Sequence, residues 1–149
     1  MLSQSSRTFT TRLCTWQDTE AALRAVRTQV FIQEQQVPEA LEWDDADALA
    51  IHGLASDAED RAIGTARLLL HDGVAHIGRM AVLPQWRGCG VGRSLLQLML
   101  ETAQARGGLS VFLNAQTSAV GFYTQAGFVV EGAEFLDAGI PHRRMTRRL

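Results

Sequence analysis

The chain contains no lysine; all 14 of its basic residues are arginine. That excludes a P-loop, whose glycine-rich turn must run into Lys-Ser/Thr. Cysteine is nearly as scarce. Cys14 and Cys89 are too few for a disulfide framework and too far apart for a metal-binding pair, so no metal is expected and a reducing, cytoplasmic setting is the default. No apolar run approaches the ~20 residues needed to cross a bilayer, so no membrane partner is expected. Residues 1–12 lack the apolar middle of a secretion signal, so no targeting segment is expected there. An excess of positive charge is missing too. With 16 acidic residues against 14 basic ones the net charge is -2, and the pI lies near 6.1. A general nucleic-acid binder is usually basic, so nucleic acid is not an expected partner. No repeat, low-complexity tract or linker divides the 149 residues. At 46% hydrophobic and 20% charged, they are expected to form one globular domain, 1–149.

What is present is a regular alternation of elements. Residues 8–14 suit a short strand. Asp18 is placed to cap a helix from Thr19 to Gln35, with Leu23, Val26 and Val30 as its buried stripe, and Pro38 closes it. The acidic stretch Glu42–Asp47 reads as a loop. Strands follow at 48–55, 61–70 and 74–83, the last two joined by the turn His71–Asp72–Gly73. A clear helix runs from Gly92 to Arg106, with Leu95, Leu96, Met99 and Ala103 on one side and Gly107 as its stop. Ser110–Ala115 is a short apolar strand expected to be buried on both faces. A helix spans Thr117–Ala126, and strands near 128–131 and 143–148 complete the list. The order β-α-β-β-β-α-β-α-β-β predicts an α/β architecture, a mixed sheet covered by helices.

The most informative segment is Arg79–Leu96, RMAVLPQWRGCGVGRSLL. A strand runs into Pro84, then into Arg87-Gly88-Cys89-Gly90-Val91-Gly92, then directly into an amphipathic helix. The first N–H groups of a helix have no partner within it, and its dipole places about +0.5 charge there. Glycines at 88, 90 and 92 let that backbone approach a bulky anion, and Arg87 and Arg93 add mobile positive charge. A pyrophosphate is the natural occupant. GxGxxG is absent and hairpin strands precede the turn, so this is no dinucleotide fingerprint.

Arg-x-x-Gly-x-Gly after a strand ending in Met-Ala-Val resembles the acetyl-CoA pyrophosphate loop of the GNAT family of N-acetyltransferases. Ala119-x-x-Phe122-Tyr123-x-x-x-Gly127-Phe128 resembles the family's second signature, and with the strand order the likeness covers roughly residues 48–131. Val30-Phe31-x-x-Glu34-Gln35-x-Val37-Pro38, Glu42-x-Asp44-x-x-Asp47, His52 and Gly139-Ile140-Pro141-His142 are similar to a subgroup of small bacterial members called ElaA-like. The N-terminal part also resembles acyl-homoserine lactone synthases, in which an arginine stands before the cofactor strand as Arg79 does here.

The resemblance implies transfer of an acetyl group from acetyl-CoA to the primary amine of a small molecule. It also implies a central sheet that splays beside the cofactor strand. The backbone of Met80, Ala81 and Val82 is then expected to bind the pantetheine arm, with the Val82 N–H facing the thioester oxygen. Residues 87–93 take the pyrophosphate. Gln116 stands where many members carry an Asn that bonds the arm, and Asn114, two residues earlier on the same face, could serve instead. Tyr123, the only tyrosine, is the candidate acid for the leaving sulfur; its other reading is a core aromatic. Phe122 is expected to pack. Two residues compete as general base. Glu34 continues the stripe of Val30 and would be partly desolvated, with a raised pKa. His142 belongs to the residue type that titrates near neutrality. His52 reads as a satisfied core histidine. Glu42, Asp44, Asp45 and Asp47 read as a solvated face or, folded over the acceptor mouth, a lure for a cationic amine. Arg143, Arg144, Arg147 and Arg148 are expected to alternate along a last strand in ion pairs. Two other functions compete: transfer from another acyl carrier, as in lactone synthases, and acyl-CoA sensing without catalysis. A homodimer is compatible with the sequence.

Overall fold

The computed structural model describes residues 7–149, so the reading of the first six residues lies outside the described residues. Alternating apolar positions pair into one seven-stranded sheet of order β1-β2-β3-β4-β5-β7-β6. In chain order these are β1 (Phe9–Cys14), β2 (Ile51–Asp57), β3 (Ala62–His71), β4 (Val74–Val82), β5 (Ser110–Gln116), β6 (Val129–Asp137) and β7 (Ile140–Arg148). All neighbours are antiparallel except β4 and β5. Helix α1 (Trp16–Arg27) and helix α4 (Val91–Ala105) cover opposite faces. Strand β2 shows this through its period of two: Leu54 packs with Trp16 and Leu23 of α1, while a Cβ on Gly53 would meet Met99 and Leu95 of α4. With a helix on each side, residues 52–56 of β2 are all buried.

The predicted element order is the observed one, and the differences have local causes. Thr15, not Asp18, caps α1: its backbone is extended and its Oγ accepts from the Asp18 N–H at 3.2 Å. The expected single helix to Gln35 ends at Arg27 and continues as a π-helical segment, Thr28–Glu34, in which the Gln35 N–H bonds back to Val30. The wider turn buries two successive residues, Val30 and Phe31. The acidic stretch is not all loop. Only residues 43–45 of it are loop; its ends belong to two helical turns, α2 (Glu39–Glu42) and α3 (Ala46–Leu49), which delay the start of β2 to Ile51. Strand β5 is buried on one face only: Val111, Leu113 and Ala115 point inward while Asn114 is exposed. The expected last helix divides into a short 3₁₀ turn, Thr117–Ala119, and α5 (Val120–Gln125). Strands β6 and β7 are longer than expected because Gly132 (φ +81°) marks an irregularity within β6 rather than its end, and Ala138–Gly139 makes the hairpin turn.

Candidate functional site

The parallel pairing of β4 with β5 involves only Val74↔Ser110, Ala75↔Val111 and His76↔Phe112. Beyond His76 the strands part. A bulge sharpens the divergence: between Thr65↔Ala81 and Arg67↔Gly78, β4 carries one residue more than β3, and Arg79 adopts φ +49°. Thr65 Oγ secures the bulge by donating to Arg79 O at 3.1 Å. Past it, the Leu83 N–H bonds to Ile63 O. By the alternation of an antiparallel ladder, Val82 therefore turns its own N–H and C=O away from β3 and toward the fork.

The fork opens into a cleft of about 690 Å³. One wall is Met80, Ala81 and Val82 followed by Arg87, Gly88, Gly90, Val91, Gly92 and Arg93; the other includes Asn114, Gln116, Tyr123 and His142. The phosphate-loop geometry is as the glycines require. Gly88 and Gly90 lie at φ +78° and +88°, and a Cβ on Gly90 would meet nothing within 4 Å. Gly90 is the N-cap of α4 and no side chain caps that end, so its N–H groups face the cleft. Arg93 is exposed and makes no ion pair among the described residues. A diphosphate fits this cradle. Cys89 departs from expectation: its side chain is turned into the core and does not line the cleft.

Tyr123 is buried from α5, and burial pushes its phenol up to about 12, so it stays protonated across the neutral range. Among the described residues its hydroxyl makes no hydrogen bond to another protein group. Phe122 is more exposed than a packing role predicts; it lines the cleft and stands 3.5 Å from where a Cβ on Gly92 would lie. His142 Nδ1 lies 2.6 Å from Ile140 O, and since a carbonyl only accepts, Nδ1 carries the proton. A ring protonated only at Nδ1 would keep Nε2 as an acceptor, and Phe135 stacks on the ring at 5.9 Å between centroids.

Glu34 is not the desolvated carboxylate that helical spacing predicts. The π-helical turn shifts residue i+4 off the stripe of residue i, leaving Glu34 exposed. There it meets Arg87 in a bidentate pair at 2.7 and 2.8 Å. Hydrogen bonding from Arg87 holds its carboxyl below the usual carboxylate range, the opposite of the expected shift. Arg87 Nε also donates to Val82 O at 3.0 Å, tying the loop to the end of β4.

Helical patterning missed an ionic cluster, largely buried, behind the part of the cleft lined by Leu41, Glu42 and Arg79. Arg27 shares the inward face of α1 with Leu23 and Val26 and is 1% exposed. It bonds Glu42 and Asp47 at 2.7 Å each. Arg67 pairs with Asp44 and Asp47, and Arg79 with Glu42 and Asp44. Burial alone would raise the Asp47 carboxyl, yet Arg27 and Arg67 hold it below its ordinary value. So Glu42 and Asp47 are buried and paired rather than a solvated face, and Asp44, though exposed like Asp45, is paired to Arg67 and Arg79 rather than a free negative lure. The signal was available in the sequence: an arginine on an apolar stripe must find carboxylates. His52 is the satisfied core histidine expected, donating from Nε2 to Asp47 O at 2.8 Å; burial holds its pKa down. His76, without a sequence pattern, lines the cleft and stacks on Phe112 at 4.3 Å; burial first, then Arg67, Arg144 and Arg79, lower its pKa. Among the last arginines, Arg144 approaches Glu131 at 3.6 Å and Arg143 bonds Gly132 O at 2.8 Å. No group of three or more metal-ligating side chains is gathered among the described residues, and no helix is long and apolar enough to cross a membrane.

Known proteins share this arrangement. The uncharacterized N-acetyltransferase YjcF of Bacillus subtilis is 43% identical over 124 residues, which cover 82% of this chain and 87% of that protein. The crystal structure of Escherichia coli ElaA superposes with a TM-score of 0.84 at 28% identity, covering 94% of this chain and 99% of that one. An acyl-CoA N-acyltransferase from Pseudomonas aeruginosa gives the same TM-score at 29% identity, with the same coverage. The family description "Acetyltransferase (GNAT) domain" matches residues 16–149. With its splayed sheet and uncapped phosphate-loop helix, this chain belongs to the GNAT family of acyl-CoA-dependent acyltransferases.

Proposed function

We propose that the protein is an N-acetyltransferase that moves an acetyl group directly from acetyl-CoA to the primary amine of a small molecule in the cytoplasm, acting as one domain. The observation that carries this reading is the fork between β4 and β5 opening onto the uncapped N-terminus of α4. Bound there, acetyl-CoA supplies the activated acyl group. Residues 88–93 and the Arg93 side chain hold its diphosphate, while Arg87 is not the mobile charge expected: engaged by Glu34 and Val82 O, it braces the loop. The stretch Met80–Val82 lines the arm, and the Val82 N–H, turned away from β3, stabilises charge on the carbonyl oxygen. His142, through Nε2, takes the proton of the attacking amine, and it displaces Glu34 as the base because Glu34 is ion-paired and acidic. Tyr123 gives its proton to the departing sulfur, a role its high pKa suits. The acceptor end offers apolar surface from Leu41 and Ile140 beside His76 and His142.

The test is to titrate the protein with acetyl-CoA by calorimetry and then screen primary amines by mass spectrometry. Saturable binding and a 42-dalton gain (one acetyl for one hydrogen, about 42 by composition) on at least one amine are expected. Absence of lysine removes side-chain self-acetylation from the background. No stabilisation or binding at saturating acetyl-CoA would overturn the reading. Binding without transfer, unaltered in Tyr123→Phe, would favour a sensor.

A further inference from the structure

Two adjacent side chains at the end of the π-helical segment reach across the cleft to different walls. Glu34 closes on Arg87 beside the start of α4. Gln35 turns to the end of β5, where its Oε1 accepts from Gln116 Nε2 at 2.8 Å and its Nε2 donates to Gln116 Oε1 at 3.4 Å. Both glutamines are half-buried and both line the cleft. Each amide thus takes one donor and one acceptor from the other, which satisfies polar groups that burial would otherwise penalise. The π-helical turn is what aims Gln35 there, and such turns recur at functional sites.

The pairing has a chemical counterpart. The pantetheine arm of an acyl-CoA carries secondary amides, and a secondary amide presents one N–H and one C=O, the same complement that each glutamine now takes from its partner. We infer that Gln35 is a donor-binding residue: Gln35 and Gln116 part when an acyl-CoA enters the fork, and each exchanges its partner for an amide of the arm. The inference rests on the acyl-CoA reading given above. The exchange conserves hydrogen bonds, so the arm enters without stranding a half-buried amide, whereas a thioester lacking amides would leave both glutamines unpaired. The pair therefore selects for an amide-bearing carrier, and it does so from a segment outside both sequence signatures.

Calorimetry with two probes tests this: acetyl-CoA, and adenosine diphosphate, which has the diphosphate but no arm. In Gln35→Leu, acetyl-CoA affinity is expected to fall about fivefold to tenfold, the scale of one lost hydrogen bond with its partner left unpaired. Adenosine diphosphate affinity should change less than about twofold, because its site is separate; its retention also shows that the variant is folded. Gln35→Ser, shorter and still polar, repeats the comparison should leucine disturb the π-helical turn, and the same selective loss is expected. Unchanged acetyl-CoA affinity, or equal losses for both probes with an unaltered melting temperature, overturns the inference. Failure of the wild-type protein to bind acetyl-CoA is a different result, and overturns the acyl-CoA reading itself.

Discussion

The two ends of the cleft are made of different materials. At the proposed donor end the groups are backbone: the N–H groups of α4, the loop glycines, and the stretch of β4 that loses its neighbour. At the proposed acceptor end they are side chains gathered from distant segments: His142 from β7, His76 from β4, and behind them Arg27, Glu42, Asp47, Arg67 and Arg79 from five elements. A backbone site is specified by a contiguous run of residues and tolerates change elsewhere. A side-chain site depends on the packing of the whole α1–α3 arm. The difference teaches that donor binding and acceptor geometry can be lost independently.

The predictions follow from that difference. Arg27→Leu is expected to have the largest effect, because it leaves Glu42 and Asp47 buried without their principal partner; a loss of roughly 3–5 kcal/mol is expected in urea denaturation. If the loss were under about 1 kcal/mol, the cluster would not be what holds the arm. Gly90→Asp acts at the other end. It sets a negative charge against phosphate and should weaken acetyl-CoA about 1000-fold, since close like charges cost several kcal/mol. Folding should fall by only about 1 kcal/mol, because the position has open space and Asp tolerates positive φ. Unchanged calorimetric affinity would break the assignment of this end as the donor's. Tyr123→Phe should lower kcat about 100-fold with KM for the donor nearly unchanged, as removal of a general acid does; a shift confined to KM would make it a packing residue. His142→Gln should lower kcat by about 10-fold at neutral pH without altering donor affinity. The smallest effect concerns pH. His52 and His76 have pKa values lowered by burial, so the folded protein binds fewer protons than the unfolded chain as pH falls below about 6.5. Stability should therefore decline by about 1 kcal/mol between pH 7 and pH 5, and the decline should shrink in His76→Phe.

The same division governs what the sequence disclosed. The glycine-rich turn into α4 was legible because glycines, arginines and a helix start occur consecutively, and the place of Tyr123 in the cleft because it sits in a compact second signature. The order of strands and helices was legible from periodicity. Glu34 was misplaced because a π-helical turn cannot be told from an α-helical one by spacing, and a change of turn moves a residue to another face. The ionic cluster escaped because its pairs join residues 15 to 37 positions apart, and the acidic residues look solvated until Arg27 is recognised as lying on a buried stripe. His76 had no signal at all; only the fork makes it part of a site.

Consider finally the three register pairs that join β4 to β5, from Val74 to His76. Among the described residues they are the one strand ladder between β1–β4 and β5–β7, although the two halves also share the hydrophobic core. Because β4 and β5 diverge from that short joint like the legs of a pair of tongs, a change of angle there would displace Met80–Val82 and Gln116 more than Val74–His76. The width between Met80–Val82 and Gln116 is thus tied to the closed end, at residues such as Ala75 and Val111 that do not line the cleft.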